Sequence, residues 1–368
     1  MLKLLLTQEN LNLGRWKNDT DAISVFCQKT RFIYLPDRFG FLNQFSKWDL
    51  AEWHTPFPDT SFIGSLHDII LYRAIELYTM AKHDGKDIYI LWSGGVDSTA
   101  IVVAFLQILD TSTDIIHILH TKSSINEFPE FYGMLAGQKC VKLHPIEFSE
   151  IEETITGIEG IGYVVTGFPA DQLFGSIINQ TLPLSYNDDW RCFIEVDDAV
   201  SQFESAFSYY GIPIRTVSQF TWFMNFACKW ELVKRMFFAE FGFVSNNILN
   251  FFDTNKFQNW SVSNFDYLHT NPQTDNRYYK KELKEFIHKF YPCSTYFRDK
   301  GKIGSIAYAC RINPINKTHA PRVAYLDSDD VVNVVTYQEW DTSEDYLKGK
   351  IALVNRILRK ARKPDNHV

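Results

Sequence analysis

The middle of the chain alternates short hydrophobic runs with segments of helical periodicity. Apolar residues dominate DIYILW at 87–92, DIIHILH at 114–120, CVKLHPI at 140–146 and GYVVTG at 162–167. Between these runs, helical periodicity is found over 98–109 and near 130–137. Short continuous apolar runs indicate strands covered on both faces, which is typical of parallel sheets joined by helices. The pattern therefore predicts an α/β core with a parallel sheet flanked by helices.

Weaker patterns extend on both sides of this core. Short strands are expected at 2–6 and 31–35, and apolar residues at three- and four-residue steps predict a helix over 66–81. From about 182 to 289 the pattern is helical and rich in aromatic residues. We interpret Trp222, Phe223, Phe226, Trp230 and Phe237 as core, and a substrate pocket is the alternative.

After Pro321 the segments RVAYL and VVNVVTY around DSDD predict a hairpin. An amphipathic basic helix from Ser343 to about Arg362 is expected to close the chain. We interpret that helix as a solvated closing element, and contact with an acidic partner or a nucleic acid is the alternative.

Composition narrows the classes of protein that fit. The chain has 368 residues, 15% of them aromatic, and a net charge of -7, which exclude a disordered chain and disfavour a surface that binds nucleic acid throughout. No uncharged stretch reaches the ~20 residues of a membrane span. The cysteines form no metal-binding pair and indicate reduced thiols; they are Cys27, Cys140, Cys192, Cys228, Cys293 and Cys310. We therefore expect a cytoplasmic protein with a small-molecule partner and no membrane contact.

The first chemical motif is IYILWSGGVDST at 88–99, a strand that runs through a glycine loop into a helix. Two glycines let the backbone approach a ligand, and the free amides of the first helical turn favour phosphate. Ser93 and Ser98 can donate hydroxyl hydrogen bonds, while Asp97 can hold magnesium. The string from Ser93 to Ser98 resembles the signature of the PP-loop ATP pyrophosphatases, which split ATP between its α and β phosphates.

The second motif, YVVTGFPADQLFGS at 163–176, resembles a pattern of the asparagine synthetases. In that family a strand ends in Ser-Gly-Glu-Gly, followed by a small residue and Asp-Glu-Leu-Phe-Gly. The matching positions are Gly167, Ala170, Asp171, Leu173, Phe174 and Gly175. By this resemblance Thr166 and Gly167 line the adenylate, and Asp171 shares magnesium with Asp97.

Two departures from the family pattern leave the chemistry open. Phe168 stands where the family has the Glu that orients or deprotonates the incoming nitrogen, and Gln172 replaces a second Glu. Without a base at 168, the nucleophile arrives unprotonated, another group takes its proton, or amide chemistry has been lost.

The resemblance continues in the later part of the chain. ILNFFDTNKFQNW at 248–260 is similar to a Pro-x-x-Asp segment of the family, and 278–305 is similar to its lysine segment. The spacing of that lysine segment is met by Lys280, Leu283, Pro292 and Lys300. The resemblance implies that Lys300 stabilises charge at the α-phosphate and that Lys280 contacts pyrophosphate. Lys302, two positions further on, fits the spacing almost as well, so the choice between Lys300 and Lys302 is open.

Taken together, the motifs imply a magnesium- and ATP-dependent ligase that adenylates a carboxylate or amide carbonyl and couples it to ammonia or an amine. The catalytic residues would be Lys300, Lys280 and Asp171, and the metal ligands Asp97 and Asp171. The nucleotide-binding residues implied are Leu91, Ser93, Gly94, Gly95, Val96, Asp97, Ser98, Thr99, Thr166, Gly167 and Lys302.

By this reading 81–320 is the asparagine synthetase-like PP-loop domain, with an adenine nucleotide alpha hydrolase-like core. Residues 1–80 form a small extension of unknown role, and 321–368 form the hairpin and closing helix. About 80 residues are too few for the family's glutaminase domain, and Leu2 stands where its nucleophilic cysteine would be. Ammonia or an amine would therefore reach the chain from elsewhere, a separate glutaminase being one source.

Two other functions remain open at this point. An enzyme of this superfamily that modifies a nucleobase in tRNA or DNA would use the basic closing helix as a contact. A non-catalytic nucleotide-binding protein derived from such an enzyme would explain Phe168 and Gln172. His117 and His120 differ by three positions and so face opposite sides of a strand, which indicates core histidines rather than a metal pair.

Overall fold

The computed structural model describes thirteen stretches of the chain, namely residues 3–8, 20–30, 36–46, 50, 52, 55–110, 114–147, 150–175, 186–231, 247–269, 275–301, 322–326 and 332–336. The strands are β1 Lys3–Gln8, β2 Asp87–Trp92, β3 Ile116–His120, β4 Val141–Pro145, β5 Gly162–Thr166, β6 Ile248–Asn250, β7 Arg322–Leu326 and β8 Val332–Thr336.

The helices up to the aromatic region are α1 Ala22–Thr30, α2 Leu66–His83, α3 Val96–Ile108, α4 Lys122–Glu127, α5 Pro129–Ala136, α6 Ile151–Ile158, α7 Ala170–Phe174, α8 Arg191–Ile194, α9 Asp197–Tyr210 and α10 Val217–Phe223. Later helices are α11 Asn255–Ser263, α12 Phe265–Leu268, α13 Lys281–Phe290 and α14 Ser294–Asp299. A short 3-10 helix spans Leu42–Phe45, and a π-helical stretch at Met224–Lys229 continues α10.

Five strands form one parallel sheet in the order β4-β3-β2-β5-β6. All five residues of β3 are buried, so both faces of the sheet are covered at that strand. The expected α/β class, a parallel sheet flanked by helices, is confirmed and has the layout of a Rossmann-like core. The hydrophobic runs coincide with β2 to β5 because strands buried on both faces need apolar residues at nearly every position.

Helix α3 is the central helix of this core. Its residues are buried almost all round, from Val96 to Leu106 with Asp97 the exception, which is typical of a helix enclosed by other elements. Helices α2 and α13 both pack against it. The Ser65 side chain caps α2 by accepting a hydrogen bond from the Asp68 amide, so this helix begins where the sequence pattern indicated.

The region from 182 to 289, expected to be helical, also contributes a strand, and that expectation was incomplete. Ile248–Asn250 forms β6, which pairs in parallel with β5 from Val164 to Thr166. Three residues are too few to show a strand period, so only the neighbouring edge of the sheet reveals this strand.

The chain divides into two compact units. One comprises Met1–Phe57, Ile177–Ala239 and Lys317–Val368; the other comprises Pro58–Ser176 and Glu240–Asn316 and contains the parallel sheet. These limits differ from the three segments inferred from sequence. Helix α2 belongs with the sheet because it packs on α3 and β2.

The first unit contains the antiparallel sheet β1-β7-β8, and the predicted hairpin of β7 and β8 is confirmed. Its helical part has the expected aromatic core, in which Trp222, Phe226 and Trp230 are fully buried. The Arg38 guanidinium packs 4.3–4.5 Å from the rings of Phe39, Phe226 and Trp230. The predicted strand at 31–35, Phe237 and the closing helix lie outside the described residues.

Among the described helices, none is long and apolar enough to cross a membrane. Four of the cysteines, Cys140, Cys192, Cys228 and Cys293, are free thiols.

Candidate active site

The order of the parallel strands creates a switch point at β2. The chain runs outward from β2 to β3 and β4, then returns to the other side of β2 for β5 and β6. The loops after β2 and β5 therefore emerge side by side at the carboxyl edge, where open α/β sheets bind ligands. Asp97 lies in the first turn of α3 after β2, and Asp171 lies in the first turn of α7 after β5.

The glycine loop has the close backbone packing that its sequence indicated. Gly94 has φ +78°, and a Cβ there would overlap the Ser124 carbonyl oxygen and lie 2.8 Å from the Glu127 Cβ. Only glycine fits this position without strain. Gly95 is the N-cap of α3, and no side chain caps the amides of the first helical turn. The backbone amides at the start of α3 are therefore not used by a side-chain cap.

Hydrogen bonds made by the hydroxyl groups of Ser98 and Thr99 stabilise this loop. Ser98 Oγ accepts a hydrogen bond from the Ser93 amide at 3.1 Å and donates to the Gly95 carbonyl at 3.3 Å. Thr99 Oγ1 accepts from the Trp92 indole at 3.0 Å. Thr99 and Val96 are buried and Leu91 is half-buried, so these predicted nucleotide-binding residues form the support of the loop.

The end of β5 lies directly against the start of α3. A Cβ on Gly167 would be 3.1 Å from the Asp97 Cβ, so the glycine leaves room for the close approach of the two loops. The Thr166 hydroxyl donates to Asn250 Oδ1 at 2.7 Å, which ties β5 to the end of β6. The structure thus brings the two sequence motifs together at one edge.

Three side chains meet between these loops. The Lys280 ammonium donates to Asp97 at 2.6 and 2.5 Å and lies 2.6 Å from Asp171 Oδ1. The two carboxylates are 24% and 22% exposed, whereas Lys280 is fully buried. The sequence predicted all three residues for the site, but it did not predict that the lysine would bridge the two acids.

Electrostatics keeps Lys280 charged in this position. Burial acts to lower its pKa, but the charges of Asp171 and Asp97 more than offset that effect and raise the pKa well above its usual value. Lys280 also adopts a left-handed backbone with φ +45° as the N-cap of α13. A non-glycine residue pays roughly 1 kcal/mol for that conformation, which the two ion pairs help to offset.

The second predicted lysine has a partner that the sequence did not reveal. Lys300 Nζ lies 2.5 Å from Glu127 Oε1, and the two side chains are 6% and 8% exposed. A Cβ on Gly95 would lie 3.4 Å from the same carboxylate oxygen, so Glu127 borders the glycine loop. No motif or spacing marks Glu127, because the last residue of α4 reaches the loop only through the fold.

Helices α13 and α14 hold Lys300 at the loop. The Tyr296 hydroxyl donates to the Gly94 carbonyl at 3.3 Å, and its ring stacks on Phe128 with centroids 3.8 Å apart. The buried Lys284 ammonium donates to the carbonyl of Asn276 and lies 3.4 Å from that of Lys300. Lys284 thereby connects α13 to the backbone of Lys300. Lys302 lies outside the described residues.

The two departures from the family pattern occupy different environments. Phe168 is half-buried in the loop after β5, with its amide 3.4 Å from Thr166 Oγ1. Gln172 is buried, and its amide has no hydrogen-bond partner among the described residues. A charged side chain at 172 would be buried as well, so that position is part of the core rather than of an open site.

The carboxylate pair offers the kind of oxygen ligands that magnesium prefers. Asp97 and Asp171 already converge on one cationic atom, and magnesium commonly uses one or two carboxylates together with water and phosphate oxygens. Among the described side chains, no group of three or more His, Cys, Asp or Glu could hold a metal by itself. Any metal here would therefore complete its coordination with water or with oxygen atoms of a bound ligand.

The histidines of the sheet lie apart from this arrangement. His117 Nδ1 is 2.8 Å from His144 Nε2, and the two rings stack. Burial lowers the pKa of His117, His120 and His144, as expected of core histidines.

The chain matches no model of a protein family, and no curated protein matches it either.

Replacing Gly94 with Ala should reshape the loop. The positive φ and the overlap with Ser124 together predict a loss of about 2–4 kcal/mol in the free energy of unfolding, measured by denaturant titration. Gly133→Ala is the matched control, because Gly133 lies in α5 with open space around it. That change should be neutral or slightly stabilising, and equal losses in both variants would contradict this view of the loop.

Lys284 makes stability depend on pH. Burial lowers its pKa from 10.5 to about 8, against the opposing charges of Asp275 and Asp299. Between these values the unfolded chain binds a proton that the folded protein does not, so stability rises with pH. The free energy of unfolding of the wild type should therefore rise by about 1–3 kcal/mol between pH 8 and pH 10, relative to that of Lys284→Met. Denaturant titrations of both proteins at the two pH values measure this difference. Parallel pH profiles of the two proteins would show that Lys284 keeps an ordinary pKa.

Proposed function

We propose that this protein is an ATP-dependent carbon-nitrogen ligase of the PP-loop type. It would adenylate a carboxylate or amide carbonyl, release pyrophosphate, and couple the activated carbonyl to ammonia or an amine with loss of AMP. Asparagine synthetase-like enzymes are the group it resembles.

One observation carries this proposal: Asp97 and Asp171, from motifs after different strands, converge on a single cationic centre beside the glycine loop. A strand-turn-helix corner with chance glycines would not require a second acidic residue at the same point. The support is strengthened by Lys280 and Lys300, which the resemblance assigned to the site and which both reach it.

Each element of the site has a task that its geometry allows. The glycine loop would let phosphate oxygens approach backbone amides at the start of α3. Lys300, 2.5 Å from Glu127 at the edge of this loop, would place fixed positive charge beside the phosphates. Magnesium bound to the two aspartates would neutralise phosphate charge and align the polyphosphate.

The nitrogen nucleophile would arrive unprotonated. Phe168 has no group that accepts a proton, and it occupies the loop position where the family has Glu. Ammonia or an amine with a low pKa therefore suits this site better than an alkylammonium ion that needs a base.

The test is product analysis with ATP, magnesium, ammonia and a panel of carboxylates and amides. We expect AMP and pyrophosphate, and we expect a loss of about 100-fold or more in rate for Asp171→Asn and for Lys300→Met. Formation of ADP and phosphate would rule the proposal out.

Two substitutions serve as controls for this experiment. Asp197 is also an aspartate in the first turn of a helix, but it is exposed, and Asp197→Asn should leave the rate unchanged. Lys281 follows Lys280 in sequence and lies 3.6 Å from Glu285, so Lys281→Gln should also have wild-type activity.

A second candidate is a nucleotide-binding protein without catalysis. The position of Lys280 favours it, because an ammonium already neutralises both aspartates and would let a nucleotide bind without metal. This candidate predicts ATP binding that does not change when magnesium is removed with a chelator, and no turnover with any carboxylate.

A further inference from the structure

The centre of the site contains a cation that belongs to the chain itself. The Lys280 ammonium lies within 2.6 Å of oxygen atoms from both Asp97 and Asp171. It therefore occupies the point on which the two carboxylates converge, and a magnesium ion sharing these ligands would have to lie there too. A divalent metal chelated at this point would compete with the ammonium, because Lys280 already engages both oxygens of Asp97 and Oδ1 of Asp171.

The two sides of this ion cluster differ in their access to water. The carboxylates are each nearly one-quarter exposed, whereas the lysine side chain is 1% exposed. A metal ion from solution can therefore reach the carboxylates, whereas the ammonium itself is shielded from solvent. Lys280 would then lose two short ion pairs and would need another anion, since an uncompensated buried charge is costly.

We propose that Lys280 is a resident cation of the Asp97–Asp171 pair and that a divalent metal binds there only by displacing it. The ammonium holds the two loops together in the absence of ligand, and a phosphate group that arrives with the metal becomes its new partner. This inference rests on the proposed function, since it concerns the same carboxylates.

Lys300 does not serve as this cation. Its ammonium is held by Glu127 at 2.5 Å, on the side of the glycine loop that faces α4. Lys284, the other buried lysine of α13, donates to main-chain carbonyls instead of carboxylates. Among these three buried lysines, Lys280 is thus the one whose removal would expose an acidic pair to metal.

Manganese binding without nucleotide tests the inference. The full chain is titrated with Mn²⁺ alone, and free Mn²⁺ is measured by electron paramagnetic resonance. We expect weak binding to the wild type and a gain of about tenfold or more in affinity for Lys280→Gln, because two carboxylates then lack their internal cation. The double variant Lys280→Gln with Asp97→Asn should lose that gain.

Lys281→Gln is the matched control, since it removes a neighbouring positive charge that lies outside the cluster. It should bind Mn²⁺ as the wild type does. A folded Lys280→Gln protein that binds Mn²⁺ no more tightly than the wild type would overturn the inference. Equal gains in Mn²⁺ affinity in both lysine variants would overturn it as well. The effect would then come from the loss of any nearby positive charge and not from Lys280 in particular.

A measurement on the wild type covers the case in which Lys280→Gln does not fold. Lys280 is labelled with an amine-reactive reagent, and the labelled peptide is quantified by mass spectrometry with MgCl₂ or with NaCl at equal ionic strength. Displacement by magnesium should increase the labelling of Lys280 several-fold and leave that of Lys281 unchanged. Equal labelling of Lys280 in both salts would contradict displacement.

Neither measurement contains ATP or a carboxylate substrate. A protein that forms no AMP and yet gains Mn²⁺ affinity on Lys280→Gln would disprove the ligase and leave the metal exchange standing. A protein that forms AMP but gains no Mn²⁺ affinity on Lys280→Gln would support the ligase and disprove the metal exchange. Lys280 would then be a purely structural cation.

Discussion

Two aspartates cannot be brought together at the edge of a sheet unless something neutralises their charge. Asp97 and Asp171 lie in the first turns of helices that follow two different strands, and the strand ends are so close that a Cβ added to Gly167 would lie 3.1 Å from the Asp97 Cβ. The buried ammonium of Lys280 supplies the missing positive charge from a third segment. The ammonium balances the charge of the two carboxylates, and the carboxylates balance the charge of the buried ammonium. Removal of any one of the three side chains would therefore destabilise the other two.

The rest of the site is organised by the same requirement for charge balance. Glu127 borders the glycine loop and would repel phosphate there, but Lys300 pairs with it at 2.5 Å. Both lysines of the site are therefore engaged by carboxylates in the protein alone. Under the proposed function, a polyphosphate would bind by exchanging ionic partners with these carboxylates, so the position of each charge would matter more than the net charge of the chain.

Sequence patterns predicted four strands of the parallel sheet but missed the strand at one edge. Strands β2 to β5 were identifiable because each is a run of apolar residues between helical segments. Strand β6 was hidden, since Ile248–Asn250 is recognisable only by its pairing with β5. Helix α2 was predicted almost to its ends, but its membership of the sheet unit follows from packing against α3, which periodicity does not report.

The sequence by itself determined which residues are candidates for the site, because Gly94, Asp97, Asp171, Lys280 and Lys300 belong to local motifs whose spacing is visible along the chain. Only the tertiary structure decided how those charges pair. Lys280, which the resemblance assigns to pyrophosphate, bridges the two acids in the protein alone, and Glu127 lies at the glycine loop without any motif. The physical reason is that the strength of an ion pair depends on the distance between the charges and on their burial. Both quantities are set by contacts between segments that are far apart in sequence.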